Sequence, residues 1–246
     1  MPHVILLGDS VFDNGPYTGG APDVPSRLAE TLPNEWHVTN AAVDGARIAE
    51  VAHQLAGVDL DASAAGEPTH LLVSVGGNDA LAVSEVLAAE VFTVGEALQR
   101  MRKVVRVFRE DYRRMLQHLA MRGLPTALCT IYEPRFADRL TQQMAVAGLA
   151  HFNDAIQREA HARGLPLLDL RLICTTDEDF VLEIEPSAVG GTRIAAAAAV
   201  LLREHDFRSG RCTVYGGTPE IADAFFAAAG RESTTGPETG IDATDR

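Results

Sequence analysis

The sequence has little of three things that would place it in a specialised class: cysteine, positive charge and long apolar runs. Its three cysteines, Cys129, Cys174 and Cys212, form no CxxC pair, so we expect no disulfide framework and assign them no chemical role. The 246 residues include 21 Lys and Arg against 34 Asp and Glu, a net charge of −13 that repels nucleic acid and anionic membranes. No apolar run approaches the ~20 residues of a membrane span, and the N-terminal segment lacks the basic flank and cleavage site of a signal peptide. These absences predict a cytoplasmic protein with neither a nucleic-acid partner nor a membrane partner.

Apolar runs that alternate with helical patterns are what the chain does contain. The runs, bounded by turn residues, fall at 3–8, 36–42, 69–75, 125–131 and 165–170, and they are typical of buried strands. Helical patterns or helix-start signals fall at 23–32, 46–56, 93–123, 144–163 and 186–202. Such alternation predicts an α/β fold with a five-stranded parallel sheet and helices on both of its faces.

We expect one domain over residues 1–208. A C-terminal appendage follows at 209–230, where 219–229 has the pattern of a short amphipathic helix. The tail at 231–246 is polar and rich in Thr and Gly, so it has too little apolar area to offset the entropy of ordering and is expected to be disordered.

The longest predicted helix carries a row of basic side chains: Arg100, Lys103, Arg106, Arg109, Arg113 and Arg114. Because Glu110 and Asp111 interrupt the row and the whole chain is acidic, we interpret it as a solvated helix face.

Polar segments directly follow the first three predicted strands. They are Gly8-Asp9-Ser10, then Asn40-Ala41-Ala42-Val43-Asp44-Gly45, then Gly76-Gly77-Asn78-Asp79. Parallel sheets bind ligands beyond the carboxyl ends of their strands, so these segments are expected to meet there. A serine at a strand-to-helix turn can offer both a nucleophilic hydroxyl and its own N–H to an anion. Gly45 can offer another N–H, and Asn78 a neutral side-chain donor.

Several other residues at this edge are candidate pocket residues. Asp9, Asp13, Asp44 and Asp79 are interpreted as turn and cap residues, and Asp13-Asn14 as a pair that fixes the loop after the serine. Tyr132 follows the fourth strand at the same edge. No metal or cofactor is implied, since the sequence has no HExxH motif and no Cys/His cluster.

In this order, the three polar segments resemble the first three sequence blocks of the SGNH/GDSL hydrolase family, over roughly residues 3–205. The resemblance implies a three-layer flavodoxin-like fold and the cleavage of esters, thioesters or acetyl groups. It implies Ser10 as nucleophile and an oxyanion hole made of the Ser10 N–H, the Gly45 N–H and the Asn78 side chain. The partner would then be a small ester or an acetylated molecule.

The last block of that family, Asp-x-x-His before the final helix, is missing. Residues 182–191 read LEIEPSAVGG, which aligns Leu182 with the aspartate and Glu185 with the histidine. The segment resembles a divergent branch that carries Ile-Glu-Pro-Ser here. A glutamate has an ordinary pKa of ~4.3 against ~6.5 for histidine, so Glu185 could act as general base if burial raises its pKa.

Three functions therefore stay open. The first is a serine hydrolase or acyltransferase that uses Ser10 with Glu185. The second is a binding protein on a hydrolase scaffold, in which Ser10, Asn78 and Glu185 hold a polar ligand without cleaving it. The third, a flavodoxin-like nucleotide binder, is disfavoured because no GxGxxG or GxxxxGK[ST] motif is present. The sequence specifies neither the substrate nor the oligomeric state.

Overall fold

The structure, a computed structural model, describes residues 1–58 and 69–217. Its central sheet contains six parallel strands: β1 (His3–Gly8), β2 (His37–Asn40), β3 (His70–Ser74), β4 (Thr126–Cys129), β5 (Leu167–Leu168) and β8 (Val214–Tyr215). They lie in the order β2-β1-β3-β4-β5-β8, and β6 (Phe180–Val181) and β7 (Glu185–Pro186) form a separate antiparallel hairpin.

Seven helices lie in the described part of the chain: α1 (Val24–Thr31), α2 (Ile48–Gly57), α3 (Gly77–Ala82), α4 (Val94–Ala120), α5 (Arg139–Arg163), α6 (Leu170–Ile173) and α7 (Ala188–Glu204). Short 3₁₀ turns occur at Gly15–Tyr17, Ser84–Ala88 and Asp177–Asp179. None of these described helices has the length and apolar character that crossing a membrane requires.

The sheet separates two apolar layers, which confirms the predicted three-layer α/β fold. Along β1, Val4 and Leu6 pack with α1, α6 and α7 on one face, whereas Ile5 and Leu7 pack with α2, α4 and α5 on the other. Successive strand residues point to opposite faces, and both faces are covered here. This is why the strands read as continuous apolar runs rather than as alternating ones.

The predicted count of five strands is wrong, because β8 adds a sixth. Val214 and Tyr215 pair with Leu167 and Leu168 at the edge of the sheet. Two residues are too few to show periodicity, so this strand could not be predicted from a sequence pattern. Part of the predicted appendage, 214–215, thus pairs with the sheet. The predicted helix at 219–229 and the tail at 231–246 lie outside the described residues.

Two helices begin at a different residue from the one predicted, and a side chain caps each of them. The fifth helix begins at Arg139 rather than 144, because the Asp138 carboxylate accepts from the Thr141 N–H at 2.7 Å. The last helix begins at Ala188 because Ser187 accepts from two N–H groups of its first turn. Such caps satisfy donors that have no partner within the helix.

The basic row on α4 is not only a solvated face. Arg109 and Arg113 pair with Glu159 of α5, at 2.6 Å and 2.9 Å. Glu159 lies on a different helix, so its place beside the row is not readable from local spacing. Part of the row therefore joins two helices.

Candidate active site

Ser10 is positioned by a tight turn at the end of β1. Gly8 has φ +131°, and a Cβ there would lie 1.7 Å from the carbonyl oxygen of Ser74, so only glycine fits. The Asp9 N–H donates to that same oxygen at 3.1 Å. Gln54 of α2 both donates to the Gly8 carbonyl and accepts from its N–H, each at 2.8 Å. These contacts hold Ser10, 8% exposed, just beyond the strand.

Gln54 is a residue that the sequence analysis missed. It is a half-buried amide on α2, next to the buried Leu55 and one turn from the buried Val51. A polar side chain at such a position indicates a specific hydrogen-bond partner, because an unpaired buried amide is unfavourable. That signal was readable, although the identity of the partner was not.

Asn78 lies in the first turn of α3, and its side-chain Nδ2 donates to the Ala46 carbonyl at 3.0 Å. This bond fixes the amide against the loop that follows β2. Gly45, in that loop, has φ +78° and is exposed. Asn78 lines the same cavity as Ser10, whereas Gly45 is not among the lining residues.

Glu185 is presented by the β6–β7 hairpin, whose turn is strained. Leu182 and Glu183 have φ +48° and +68°, a left-handed conformation that costs about 1–2 kcal/mol for a side-chain-bearing residue. The neighbouring loop compensates for this strain. Arg135 N–H donates to the Glu183 carbonyl at 2.7 Å, and Ala137 N–H donates to its carboxylate at 2.8 Å.

The backbone on both sides of Glu185 is also fixed. The Tyr132 hydroxyl donates to the Ile184 carbonyl at 2.6 Å. The Asn14 side chain donates to the Pro186 carbonyl at 3.2 Å. Tyr132 therefore acts on the pocket through the backbone of the hairpin as well as by lining the cavity, and Asn14 connects the loop after Ser10 to the strand that carries Glu185.

The hairpin is further anchored to α7 by a buried ion pair that the sequence analysis did not identify. Asp179 is fully buried, and Arg193 of α7 donates to both of its carboxylate oxygens, at 2.7 Å and 2.8 Å. The Ser187 N–H donates to the Asp179 carbonyl at 2.9 Å. Nothing in local spacing marks this pair, because its partners lie on separate elements.

The electrostatics at Ser10 favour neutral carboxyl groups. Burial raises the pKa of Asp9 to about 7, with Glu185 and Asp79 adding to the rise. Burial also raises the pKa of Glu185, although an interaction with the Ser10 side chain opposes that rise. Glu185 Oε2 is buried and has no hydrogen-bond partner among the described residues. No arginine or lysine of the described part pairs with either carboxyl group.

Three of the four candidate acids hold loops rather than line the cavity. Asp13 accepts from the Asp44 N–H at 2.8 Å, and Asp79 accepts from the Ile48 N–H at 3.1 Å, at the start of α2. Asp44 accepts from the hydroxyl of Tyr17 at 2.6 Å, a bond that raises the pKa of Tyr17 to about 12. Asp9 is the one of these four acids that lines the cavity. Tyr132, the candidate pocket tyrosine, lines it as well.

A pocket at this edge was predicted, but its shape was not. It has a volume of about 350 Å³, and its polar end is formed by Asp9, Ser10, Asn78 and Glu185. The rest runs between α3, the turn at Ser84–Ala88, α4 and α5, and its lining includes Val83, Val86, Leu87, Met101 and Phe152. Half-buried residues of several helices build it, so no single segment of sequence indicates its shape.

Comparisons with known proteins agree with the α/β fold. Residues 6–218 match the GDSL-like lipase/acylhydrolase family. An extracellular lipase from Streptomyces rimosus is 17% identical, with a TM-score of 0.55 over 80% of this chain and 97% of that one. A lipase/acylhydrolase from Enterococcus faecalis is 20% identical, with a TM-score of 0.55 over 82% and 95%.

Phospholipase A1 from Streptomyces albidoflavus NA297 is 16% identical, with a TM-score of 0.54 over 83% of this chain and 99% of that one. At these identities the solved structures establish the fold only. No curated protein sequence matches the chain. The family match covers most of the 246 residues, and the chain therefore belongs to the GDSL-like lipase/acylhydrolase family.

Proposed function

We propose that the protein is an ester hydrolase in which Ser10 is the nucleophile and the Glu185 carboxylate is its general base. The observation that carries the proposal is that Ser10 and Glu185 line the polar end of one cavity, where burial raises the pKa of Glu185 and an interaction with the Ser10 side chain opposes that rise. A nucleophile paired with a base in a concave site is the usual arrangement for acyl transfer.

The reaction would proceed in two steps. Glu185 takes the hydroxyl proton as Ser10 Oγ attacks the ester carbonyl, and the tetrahedral intermediate collapses with the proton passing to the departing alcohol. Water, activated by the same carboxylate, then cleaves the acyl-serine ester. If another alcohol takes the place of water, the same chemistry transfers the acyl group.

The developing oxyanion needs donors. We assign this role to the Asn78 side chain and the Ser10 N–H, two residues that line the cavity, each such donor being worth roughly 10²–10³ in rate. The Gly45 N–H, on a residue that does not line the cavity, is the third donor that the resemblance implies. The Asn78 amide is already oriented by its bond to Ala46, so little reorganisation is required at the moment of reaction.

A glutamate differs from a histidine in the charge that it carries. It is anionic before it takes the proton and neutral afterwards, so it supplies no cation to the intermediate. An ordinary glutamate is also a weaker base than histidine. Burial reduces this difference in basicity because it raises the pKa of Glu185. A pKa of about 7 also keeps much of Asp9 uncharged near neutrality, which spares the oxyanion a second negative neighbour. We expect a slow enzyme rather than an inert one.

A second candidate is a protein that binds a polar ligand at this site without cleaving it. The absence of histidine from 182–191 favours it, as does the unpartnered Glu185 Oε2, which could accept a hydrogen bond from a ligand.

A cytoplasmic location stays a prediction from composition.

The test combines turnover with active-site labelling. We expect wild-type protein to cleave p-nitrophenyl esters and to form a fluorophosphonate adduct that mass spectrometry locates at Ser10. Ser10→Ala should lose label and about 10³-fold or more of turnover. Ser84→Ala, which changes another serine of the cavity, should keep its label. Absence of label and turnover in folded wild-type protein would leave the binding function.

A further inference from the structure

The residues that line the cavity indicate which kind of acyl group a substrate could place there. Beyond the polar end, the lining is mostly hydrocarbon, with Val83, Val86, Leu87, Met101, Leu149 and Phe152 among its residues, although Ser84 and Thr141 also line it. A hydroxylated or charged group placed there would lose its water and gain few partners, which costs free energy. A hydrocarbon chain would instead be stabilised with each methylene removed from water.

The size of the cavity also favours a hydrocarbon chain. Its volume is about 350 Å³, room for roughly ten groups of methylene size at ~30 Å³ each, the share of one water molecule in the liquid. An acetyl group would leave most of this space unfilled. A straight acyl chain of medium length would occupy it.

Gly148 keeps part of this space open. It is buried in the interior of α5 and lines the cavity, although glycine is unfavourable relative to alanine in a helix interior. A Cβ at this position would lie 3.4 Å from Leu87 Cδ2 and 3.9 Å from Met101 Cε. These are ordinary contacts, so a methyl group would just fit, and any longer side chain would have to enter the cavity or displace Leu87.

We propose that this cavity is the acyl-chain site, that the substrate acyl group is a straight hydrocarbon chain of medium length, and that Gly148, opposite Leu87 and Met101, sets the length accepted. The proposal rests on the proposed ester hydrolysis at Ser10. It narrows the substrate class, because it favours apolar acyl esters over acetylated compounds.

The first experiment measures kcat/KM for p-nitrophenyl acetate, butyrate, octanoate and palmitate. Wild-type protein should prefer octanoate to acetate by at least about tenfold, since several methylenes become buried, and should cleave palmitate less well than octanoate. In Gly148→Leu the octanoate-to-acetate ratio should fall by at least about tenfold. Leu87→Ala, which enlarges the same space, should move the preference toward longer esters.

Ala147→Leu is the matched control. Ala147 adjoins Gly148 but is exposed and is not among the cavity residues, so the same side chain added there should leave the chain-length profile unchanged. A wild-type profile that is flat, or a Gly148→Leu profile equal to that of Ala147→Leu in folded protein, would overturn the proposal.

A binding measurement separates this proposal from the proposed function. The measurement uses Ser10→Ala, because binding can be measured without catalysis. Calorimetry with butanol and octanol should give tighter binding of octanol to this variant. Adding Gly148→Leu to Ser10→Ala should abolish the difference between the two alcohols. If no ester is cleaved but this pattern is found, the acyl-chain site stands and hydrolysis fails. If esters are cleaved but the two alcohols bind equally, hydrolysis stands and the acyl-chain site fails.

Discussion

Two buried carboxyl groups of this molecule have opposite electrostatic surroundings. Glu159 on α5 is 1% exposed, and although burial alone raises its pKa, hydrogen bonds from three arginines outweigh burial and lower the pKa to about 2. The arginines are Arg109, Arg113 and Arg163. Asp9, 4% exposed, pairs with no arginine in the described part of the chain, and burial raises its pKa to about 7.

The difference distinguishes a structural ion pair from the proposed catalytic site. Glu159 joins α4 to α5 and remains ionised at any ordinary pH, so it serves stability. At the cavity, two carboxyl groups, Asp9 and Glu185, are held with raised pKa values and no compensating cation. Such an arrangement destabilises the fold, but it keeps carboxyl groups with raised pKa values beside Ser10, and Asp9 exchanges its proton near neutrality.

The largest expected effect comes from Glu185→Gln. The variant removes the base but keeps the size of the side chain, so kcat/KM at pH 7 should fall about 10²–10⁴-fold. Stability should not fall, since a raised pKa means that ionised Glu185 is unfavourable in the fold. Steady-state kinetics and urea unfolding measure the two effects. Glu183→Gln, on the same hairpin, is the control, and equal kinetics for the two variants would remove Glu185 from the mechanism.

Glu159→Gln should have the opposite effects: it should lower stability and leave catalysis unchanged. Loss of the carboxylate should lower the free energy of unfolding by about 2 kcal/mol at pH 7, less than for a fully buried pair because the arginines are partly exposed. The folded-state pKa is lowered to about 2 from an ordinary 4.5, so the difference from wild type should shrink as pH falls through this interval. kcat/KM per folded molecule should stay unchanged, and a loss comparable to that of Glu185→Gln would break the comparison.

Asp9→Asn should stabilise the protein at alkaline pH. Because the folded-state pKa is raised to about 7 from 3.8, the folded state holds the proton more tightly, and wild-type stability falls as pH rises across this interval. The variant should gain about 1–2 kcal/mol at pH 8, part of the ~4 kcal/mol that a shift of this size represents, and nothing below pH 4. Urea unfolding at both pH values tests it, and an equal effect at the two would show that Asp9 does not titrate in this range.

The smallest effect concerns the strained hairpin. Leu182 has φ +48° and is exposed, so Leu182→Gly should relieve left-handed strain at little loss of packing. The free energy of unfolding should rise by up to about 1 kcal/mol, the gain being limited by the greater freedom of glycine in the unfolded chain. Val189→Gly, at another exposed apolar position but within a helix, should instead destabilise. A destabilised Leu182→Gly would show that the turn stores no strain.

Much of the fold and part of the site could be predicted because they depend on local pattern. The long apolar runs specify β1, β3 and β4, and the polar residues at their ends specify where Ser10 and Asn78 lie. Features that depend on partners distant in sequence could not be predicted. The two-residue strand β8 exists only through its pairing with β5, and the hairpin that presents Glu185 is held by backbone bonds to the loop at 135–137.

The central claim, that the Glu185 carboxylate activates Ser10, is tested most directly by the pH dependence of fluorophosphonate labelling at Ser10 in wild type and in Glu185→Gln. In wild type the labelling rate should rise with pH through a pKa above the ordinary value of 4.5 for glutamate. In the variant it should be at least about 10²-fold slower at pH 7 and should lack this rise. Equal rates with the same pH dependence in the two proteins would contradict the claim.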